Sequence, residues 1–552
     1  MNWFYGIHRQ NIKGDLFGGL TAAIVALPLA LAFGVSSGAG AIAGIYGAIC
    51  VGFFASIFGG TPSQVSGPTG PMTVVMAGIF SHYISMDPEN GAALAFTVVM
   101  LGGVFQILFG VFRLGQFITL MPFPVISGFM NGIGTIIIIL QIAPLLGADA
   151  IPSVSAAVMA LPEQIVGTNL SSLFLGLLTL VVVYFCPKRV SVWIPSPLLA
   201  LLVGTLVALQ LSDVAVIGFI PTGLPALHWP IIEVSLIKDM IISALMLATL
   251  GSIDSLLTSL VADNLTRTQH RSEKELVGQG LGNMVAGLFG GLPGAGATMR
   301  TVVNIRAGGQ TPLSGASHAI ILLIMVLGAG SVAESIPLAV LSGILIKVGI
   351  DIIDWRFLAR VYQAPVFVIF LMLLVWGLTV FVDLITAVAV GVFLANIYTV
   401  KRLSDTQVQS VRVIQDDISM HTGLTDHESS LLQDAKGKIL LYQLNGPVTY
   451  AAAKGISNKL MVCKTHELLL LDFTNVPHID VSTALALEEV ILDAKLAGQV
   501  VYVVGANSVV EMILKRLKVL THVDQSNHYK DRETALTAAS QLLTLTLPNS
   551  EL

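Results

Sequence analysis

The sequence predicts a polytopic α-helical membrane protein with 14 transmembrane segments in a 7+7 inverted repeat, followed by a small soluble α/β domain. Three observations carry this prediction. Of 552 residues, 54% are hydrophobic and 11% are charged, whereas charged residues make up about a quarter of an ordinary soluble protein. Asp, Glu, Lys and His concentrate after residue 402, which separates a membrane part from a soluble one. Finally, two Gly- and Pro-broken runs, Gly67-Pro-Thr-Gly-Pro-Met-Thr-Val-Val75 and Gly290 to Asn304, repeat each other at an offset of about 225 to 230 residues.

Apolar segments fall at 15–33, 41–58, 68–82, 94–112, 117–142, 170–186, 197–212, 238–260, 275–290, 296–306, 314–330, 335–351, 365–382 and 384–399. The segments at 68 and 296 are shorter than the roughly 20 residues a full span needs, as half-helices should be. The repeat offset also carries the helix near Asp15 onto the one near Met240, and Pro28 onto the neighbourhood of Asp254. An odd number of crossings per repeat inverts the second half relative to the first. Lys and Arg occupy alternate loops, at Arg9 and Lys13, Arg113, Lys188-Arg189, Arg267 to Lys274, Arg306, Arg356 and Arg360, and Lys401-Arg402. Both ends are therefore expected in the cytoplasm of a multi-pass plasma-membrane protein. Residues Met1 to Gln10 lack the pattern of a signal peptide, so the first helix is expected to insert the chain.

Beyond Arg402 the pattern changes to strands at Lys438 to Leu444, Glu467 to Phe473 and Gln499 to Val504, with helices near Tyr450 to Met461 and Ser482 to Ala497. The expected organisation is a transmembrane transport domain at 1–402, a linker with a short strand at 403–436, the α/β domain at 437–545 and a frayed tail at 546–552. A net charge of −5 suggests no nucleic-acid partner. Cys50, Cys186 and Cys463 give neither a disulfide framework nor metal spacing. No nucleophile constellation points to an enzyme.

The broken runs mark the candidate site. Irregular backbone at membrane depth is tolerated where it is buried in protein or lines a wet cavity, and a helix start offers unpaired amides and a partial positive charge. An anion is expected between the two starts, touching Thr69 and Gly70 on one side and Ala297, Thr298 and Met299 on the other. Asp254 lies in the middle of an apolar helix, where a carboxylate costs several kcal/mol unless paired or hydrated. Thr258, one turn on, shares its face. Together with backbone carbonyls of Gly296, Ala297 and Thr298 these oxygens suit a hard monovalent cation such as sodium. A protonated Asp254 carrying a coupling proton, or a structural Asp254, are the alternatives.

Gly251-Ser-Ile-Asp-Ser-Leu-Leu-Thr-Ser259, Ala262-Asp-Asn-Leu-Thr-Arg-Thr-Gln-His270 and Leu292-Pro-Gly-Ala-Gly-Ala-Thr-Met-Arg-Thr-Val-Val-Asn304 carry a resemblance that covers the whole chain. It resembles the SulP family of anion transporters with a C-terminal STAS domain, and within it the branch of sodium-dependent bicarbonate transporters. The resemblance implies UraA-like core and gate domains, an elevator-type symport of bicarbonate with sodium, and a homodimer formed partly through a cytoplasmic STAS domain. The core would hold helices one to four and eight to eleven. Asp254, Thr258, Gly296, Ala297 and Thr298 match the family's sodium-binding positions, and Arg300 lies where many members place an arginine beside the anion. An arginine snorkelling to the cytoplasm is the alternative for Arg300. Two departures weaken a sulfate reading: Pro28-Leu29 replaces the Pro-Gln pair of sulfate-type relatives, and Met299 stands where they have Ser. A C4-dicarboxylate such as fumarate stays open, as does proton coupling. Ser482 falls at the position phosphorylated in related STAS domains, where a helix-capping serine would look the same.

Overall fold

Each of the fourteen apolar segments forms a helix in the computed structural model, which describes residues 8, 10–118, 121–151, 153–187, 190, 195–211, 213–218, 227–382, 384–415, 423–449 and 466–545. They are α1 (Ile12–Ser36), α2 (Ala41–Phe58), α3 (Gly70–Met86), α4 (Gly91–Val111), α5 (Phe123–Leu145), α6 (Leu170–Phe185) and α7 (Ser196–Ala208) in the first half. The second half holds α8 (Ile237–Thr266), α9 (Ser272–Leu288), α10 (Thr298–Arg306), α11 (Pro312–Ala333), α12 (Leu338–Ile352), α13 (Val366–Phe381) and α14 (Leu384–Ser410). Proline sets several starts: Pro71, Pro124, Pro197 and Pro312 sit in a first turn, where the missing N–H would have had no partner. By length and composition, α1, α2, α4, α5, α8 and most of α14 can each cross a bilayer. Of the two broken elements, α10 has 9 residues, about 13 Å, and α3 has 17, about 25 Å, so α3 is longer than its half-helix pattern suggests.

The packing exchanges the two halves. α4 lies against α9 as α11 lies against α2, and α1 against α11 as α8 against α4. Likewise α5 packs on α13 as α12 packs on α6, while α2 with α9 and α5 with α12 are self-corresponding pairs. The strand pair β1 (Ser66–Gly67) and β2 (Ala295–Gly296), one from each break, is antiparallel, as a pseudo-two-fold axis between the halves requires. Two bodies result, a core built from α1–α4 with α8–α11 and a gate in which α5 packs on α12 and α13 and α6 on α7 and α12. Glycine allows the closest crossings: a Cβ on Gly103 would lie 2.5 Å from the Gly280 carbonyl oxygen, and a Cβ on Gly280 2.5 Å from that of Gly103.

The chain divides into two compact units, Met1–Val392 and Phe393–Leu552. In the second, β3 (Arg412–Ile414) is antiparallel to β4 (Ile439–Asn445), and β4, β5 (Leu468–Asn475), β6 (Val500–Val504) and β7 (His528–Tyr529) run parallel in that order. Alternation along β4 puts Leu440, Tyr442 and Leu444 in one apolar layer with α16 (Val481–Leu496) and α17 (Ser508–Arg516). Ile439 and Leu441 enter the other, with α15 (Asp426–Asp434) and α18 (Arg532–Leu545). The stretch 403–436 contains the end of α14, β3 and α15, because Val408, Val411 and Val413 contribute to the sheet's apolar layer. The cap of α16 is Asp480, whose carboxylate accepts the Thr483 N–H at 2.8 Å, and Ser482 is an exposed first-turn residue instead. The helix expected near Tyr450 to Met461 and the tail 546–552 lie outside the described residues.

Candidate functional site

Backbone dictates the centre of the site. A Cβ at Gly294 would lie 2.5 Å from the Gly67 backbone, so the two breaks can touch only because no side chain stands between them. From this contact the chain turns into α3 through extended Thr69 and into α10 through extended Ala297. The Thr69 carbonyl accepts the Thr73 N–H at 2.9 Å, and the Ala297 carbonyl accepts that of Thr301 at 2.9 Å. The amides before these, at Gly70 and Met72 and at Thr298, Met299 and Arg300, have no acceptor within their own helices. Neither start is capped by its own side chain. Two positive helix ends thus converge on one place.

Buried polar groups surround that place. The Thr69 hydroxyl is shielded from solvent and has no hydrogen-bond partner, as has Nη1 of Arg300. Arg300 is 2% exposed and donates through Nη2 to the Pro68 carbonyl, which puts its charge at the start of α3 and not at a solvent-facing end of α10. Asp254 keeps a shielded, unpartnered Oδ2, with Thr69 and Arg300 among the neighbours of its carboxylate. The Thr258 hydroxyl lies 2.7 Å from that of Thr298 and donates to the Gly296 carbonyl at 2.9 Å, which gathers three oxygens at a position one helical turn from Asp254 along α8. Met299 is 62% exposed, so its side chain lies outside this buried polar cluster.

Several neighbours lie beyond what the sequence pattern marks. Opposite the start of α3 stands an apolar wall: a Cβ on Gly70 would meet Cδ1 of Ile137 in α5 at 2.8 Å and Cδ1 of Ile352 in α12 at 2.9 Å. Behind the strands, α9 aims a polar stripe at both breaks. Gln279 donates to the Ser66 hydroxyl at 2.6 Å, and Asn283 both donates to the Gly294 carbonyl at 2.9 Å and accepts its N–H at 2.7 Å. With Glu275 these residues recur every four positions on one helical face, a signal the sequence does carry. Among the described residues no group of three or more His, Cys, Asp or Glu could hold a metal ion.

Residues 12–375, which contain this whole arrangement, match the Sulfate permease family. The chain belongs to that family. Residues 433–535 match the STAS domain. This permease is 48% identical to the protein named Bicarbonate transporter BicA of Synechocystis sp., over 96% of its own length and 94% of the relative's. Its identity to the protein of the same name in Picosynechococcus sp. is 48%, over 96% and 95%. The solved transmembrane domain of a cyanobacterial bicarbonate transporter BicA is 52% identical to it, with a TM-score of 0.65, covering 69% of this chain and 98% of that one. A structure of SLC26A9, 18% identical, shares the fold alone, with a TM-score of 0.83 over 98% of this chain and 92% of that one. The permease is accordingly a multi-pass membrane transporter of anions and not an enzyme.

Proposed function

We propose that this permease takes up bicarbonate together with sodium, holding both ions between the starts of α3 and α10. The observation that carries the reading is a set of three shielded, unpartnered atoms of complementary character at one place: the Thr69 hydroxyl, Arg300 Nη1 and Asp254 Oδ2. A buried polar atom without a partner costs free energy, which a ligand of the right sign restores. The anion would take hydrogen bonds from Thr69 and Arg300 and from the amides of Gly70, Thr298 and Met299; the Ala297 N–H, expected among them, is instead donated to the Val65 carbonyl at 2.9 Å. Sodium would sit among Asp254, Thr258 and Thr298 and the carbonyls of Gly296 and Ala297. The relatives named as bicarbonate transporters support this anion.

Both ions would ride on the core, while Ile137 and Ile352 belong to the gate and present no polar atoms. An elevator-type displacement of the core along that apolar wall would carry the loaded site from one membrane face to the other. In the same reading the protein lies in the plasma membrane with its N-terminus and STAS domain cytoplasmic, its transport domain ends near residue 402, and a homodimer forms partly through the STAS domain. The test is uptake of labelled bicarbonate into proteoliposomes, with sulfate and fumarate as competitors. Saturable uptake that neither competitor suppresses supports the reading. Uptake of sulfate or fumarate in preference to bicarbonate would contradict it.

A further inference from the structure

Glu275 is a buried carboxylate that the transport reading leaves unused. It is 1% exposed, in the first turn of α9, and its carboxylate accepts from four N–H donors. Oε2 accepts the backbone N–H groups of Gly60 at 2.8 Å and Thr61 at 2.9 Å. Oε1 accepts Nε2 of Gln64 and Nε2 of Gln279, both at 2.8 Å. Donors on every side suit a carboxylate; a glutamine in its place would turn its own N–H groups against two of them. Held in this way, Gln64 accepts from the Ser259 hydroxyl at 3.0 Å, and that hydroxyl lies 2.7 Å from that of Thr61. The Gln64 amide also packs on Gly296: a Cβ there would lie 2.4 Å from Gln64 Nε2. From the other side the Gly296 N–H is held by Ser255 Oγ at 3.1 Å.

We propose that Glu275 is a positioning residue for the cation half of the site, acting through Gln64 on the carbonyl of Gly296. The inference rests on the sodium site described above. Glu275 touches neither ion; it fixes the amide that walls the Gly296 peptide, so that its carbonyl stays aimed at the Thr258 hydroxyl. Gln279, bonded to the same oxygen, carries the clamp on to Ser66 in β1.

The experiment measures sodium-dependent bicarbonate uptake by the full-length protein in proteoliposomes for Glu275→Gln, Gln64→Ala and the double variant, with Asp254→Asn alongside. Thermal unfolding of each purified variant is followed with and without sodium. Glu275→Gln and Gln64→Ala should each raise the sodium KM at least about tenfold and shrink the stabilisation by sodium. Bicarbonate KM at saturating sodium and kcat should stay within about threefold of the starting protein. Because one residue acts through the other, the double variant should be no worse than Glu275→Gln. Fully multiplicative losses, or a Gln64→Ala protein with an unchanged sodium KM, would overturn the proposal. Asp254→Asn separates the two layers: if it keeps the original sodium KM, the sodium site itself is misplaced and the role of Glu275 falls with it.

Discussion

Asp254 is the residue at which sequence and structure speak most directly to each other. A carboxylate in the middle of an apolar helix is costly wherever it lies, so its position alone marks a functional group, and its Oδ2 is shielded from solvent with no hydrogen-bond partner. Asp254→Asn keeps the volume and removes the charge, so the protein should fold and insert with sodium-driven uptake abolished; uptake assays on protein of normal gel-filtration profile check this. The two threonines should separate the ions. Thr69→Ala removes an unpartnered hydroxyl on the anion side and should raise bicarbonate KM about ten- to a hundredfold, the equivalent of about 1.5–3 kcal/mol, with the sodium KM nearly unchanged. Thr298→Ala also removes the partner of the Thr258 hydroxyl and should raise both constants. Equal loss of both affinities in Thr69→Ala would show that the anion does not sit where that hydroxyl points. Glu275, Gln279 and Asn283 illustrate what remains hidden at this scale. Their four-residue spacing is plain in the sequence, but what they hold is set by loops up to some 215 residues away, and spacing cannot name a partner at that separation.

At the scale of elements, the broken helices were legible because Gly and Pro interrupt apolar runs that would otherwise continue as helix, and the repeat offset paired them. Their ends were less so. Thr69 precedes α3 where the pattern places the break, yet α3 continues through Ser81 and His82 to Met86, since Tyr83 is buried and no proline intervenes before Pro88. The apolar wall of Ile137 and Ile352 was illegible, because isoleucines in spanning helices look the same whether they face lipid, core or site. The close approach of the two breaks makes a sharp contrast between two glycines. In Gly294→Ala the new methyl would meet fixed backbone of Gly67, which should cost about 1–3 kcal/mol or more in thermal stability. Gly70→Ala would meet only the movable ends of two isoleucines, so it should fold and show its effect in transport rate. Thermal unfolding in detergent, compared with uptake, tests both; equal destabilisation would mean that the breaks are looser than their contact implies.

For the molecule as a whole, composition separates the membrane part from the soluble part and the repeat offset yields the fold, while the joint between the units is blurred by the run of polar residues that continues α14 to Ser410. Truncation after Ser410 should leave a protein that still binds sodium and bicarbonate, since every proposed ligand precedes it; loss of binding in a folded truncation would assign the soluble unit a part in the site. The soluble unit has its own acid sensitivity. Burial pushes the Glu428 carboxyl up, but hydrogen bonds from Arg532 and the Thr425 N–H outweigh it and hold it below its ordinary value of 4.5. A carboxyl whose pKa is lower folded than unfolded contributes stability that is complete above the unfolded value and is lost as pH falls through the folded one. Protection factors of α15 and β5 in the full chain, corrected for the intrinsic exchange rate at each pH, should therefore fall below about pH 4.5, and in Arg532→Met they should be low already at higher pH.

The central claim is that one pair of helix starts holds an anion and a sodium ion at once. It is tested most directly by bicarbonate uptake into proteoliposomes under an inward sodium gradient, an inward proton gradient, or neither. Concentrative uptake is expected with the sodium gradient alone, and its loss when sodium is equal on both sides. Uptake that ignores sodium and follows the proton gradient would contradict it.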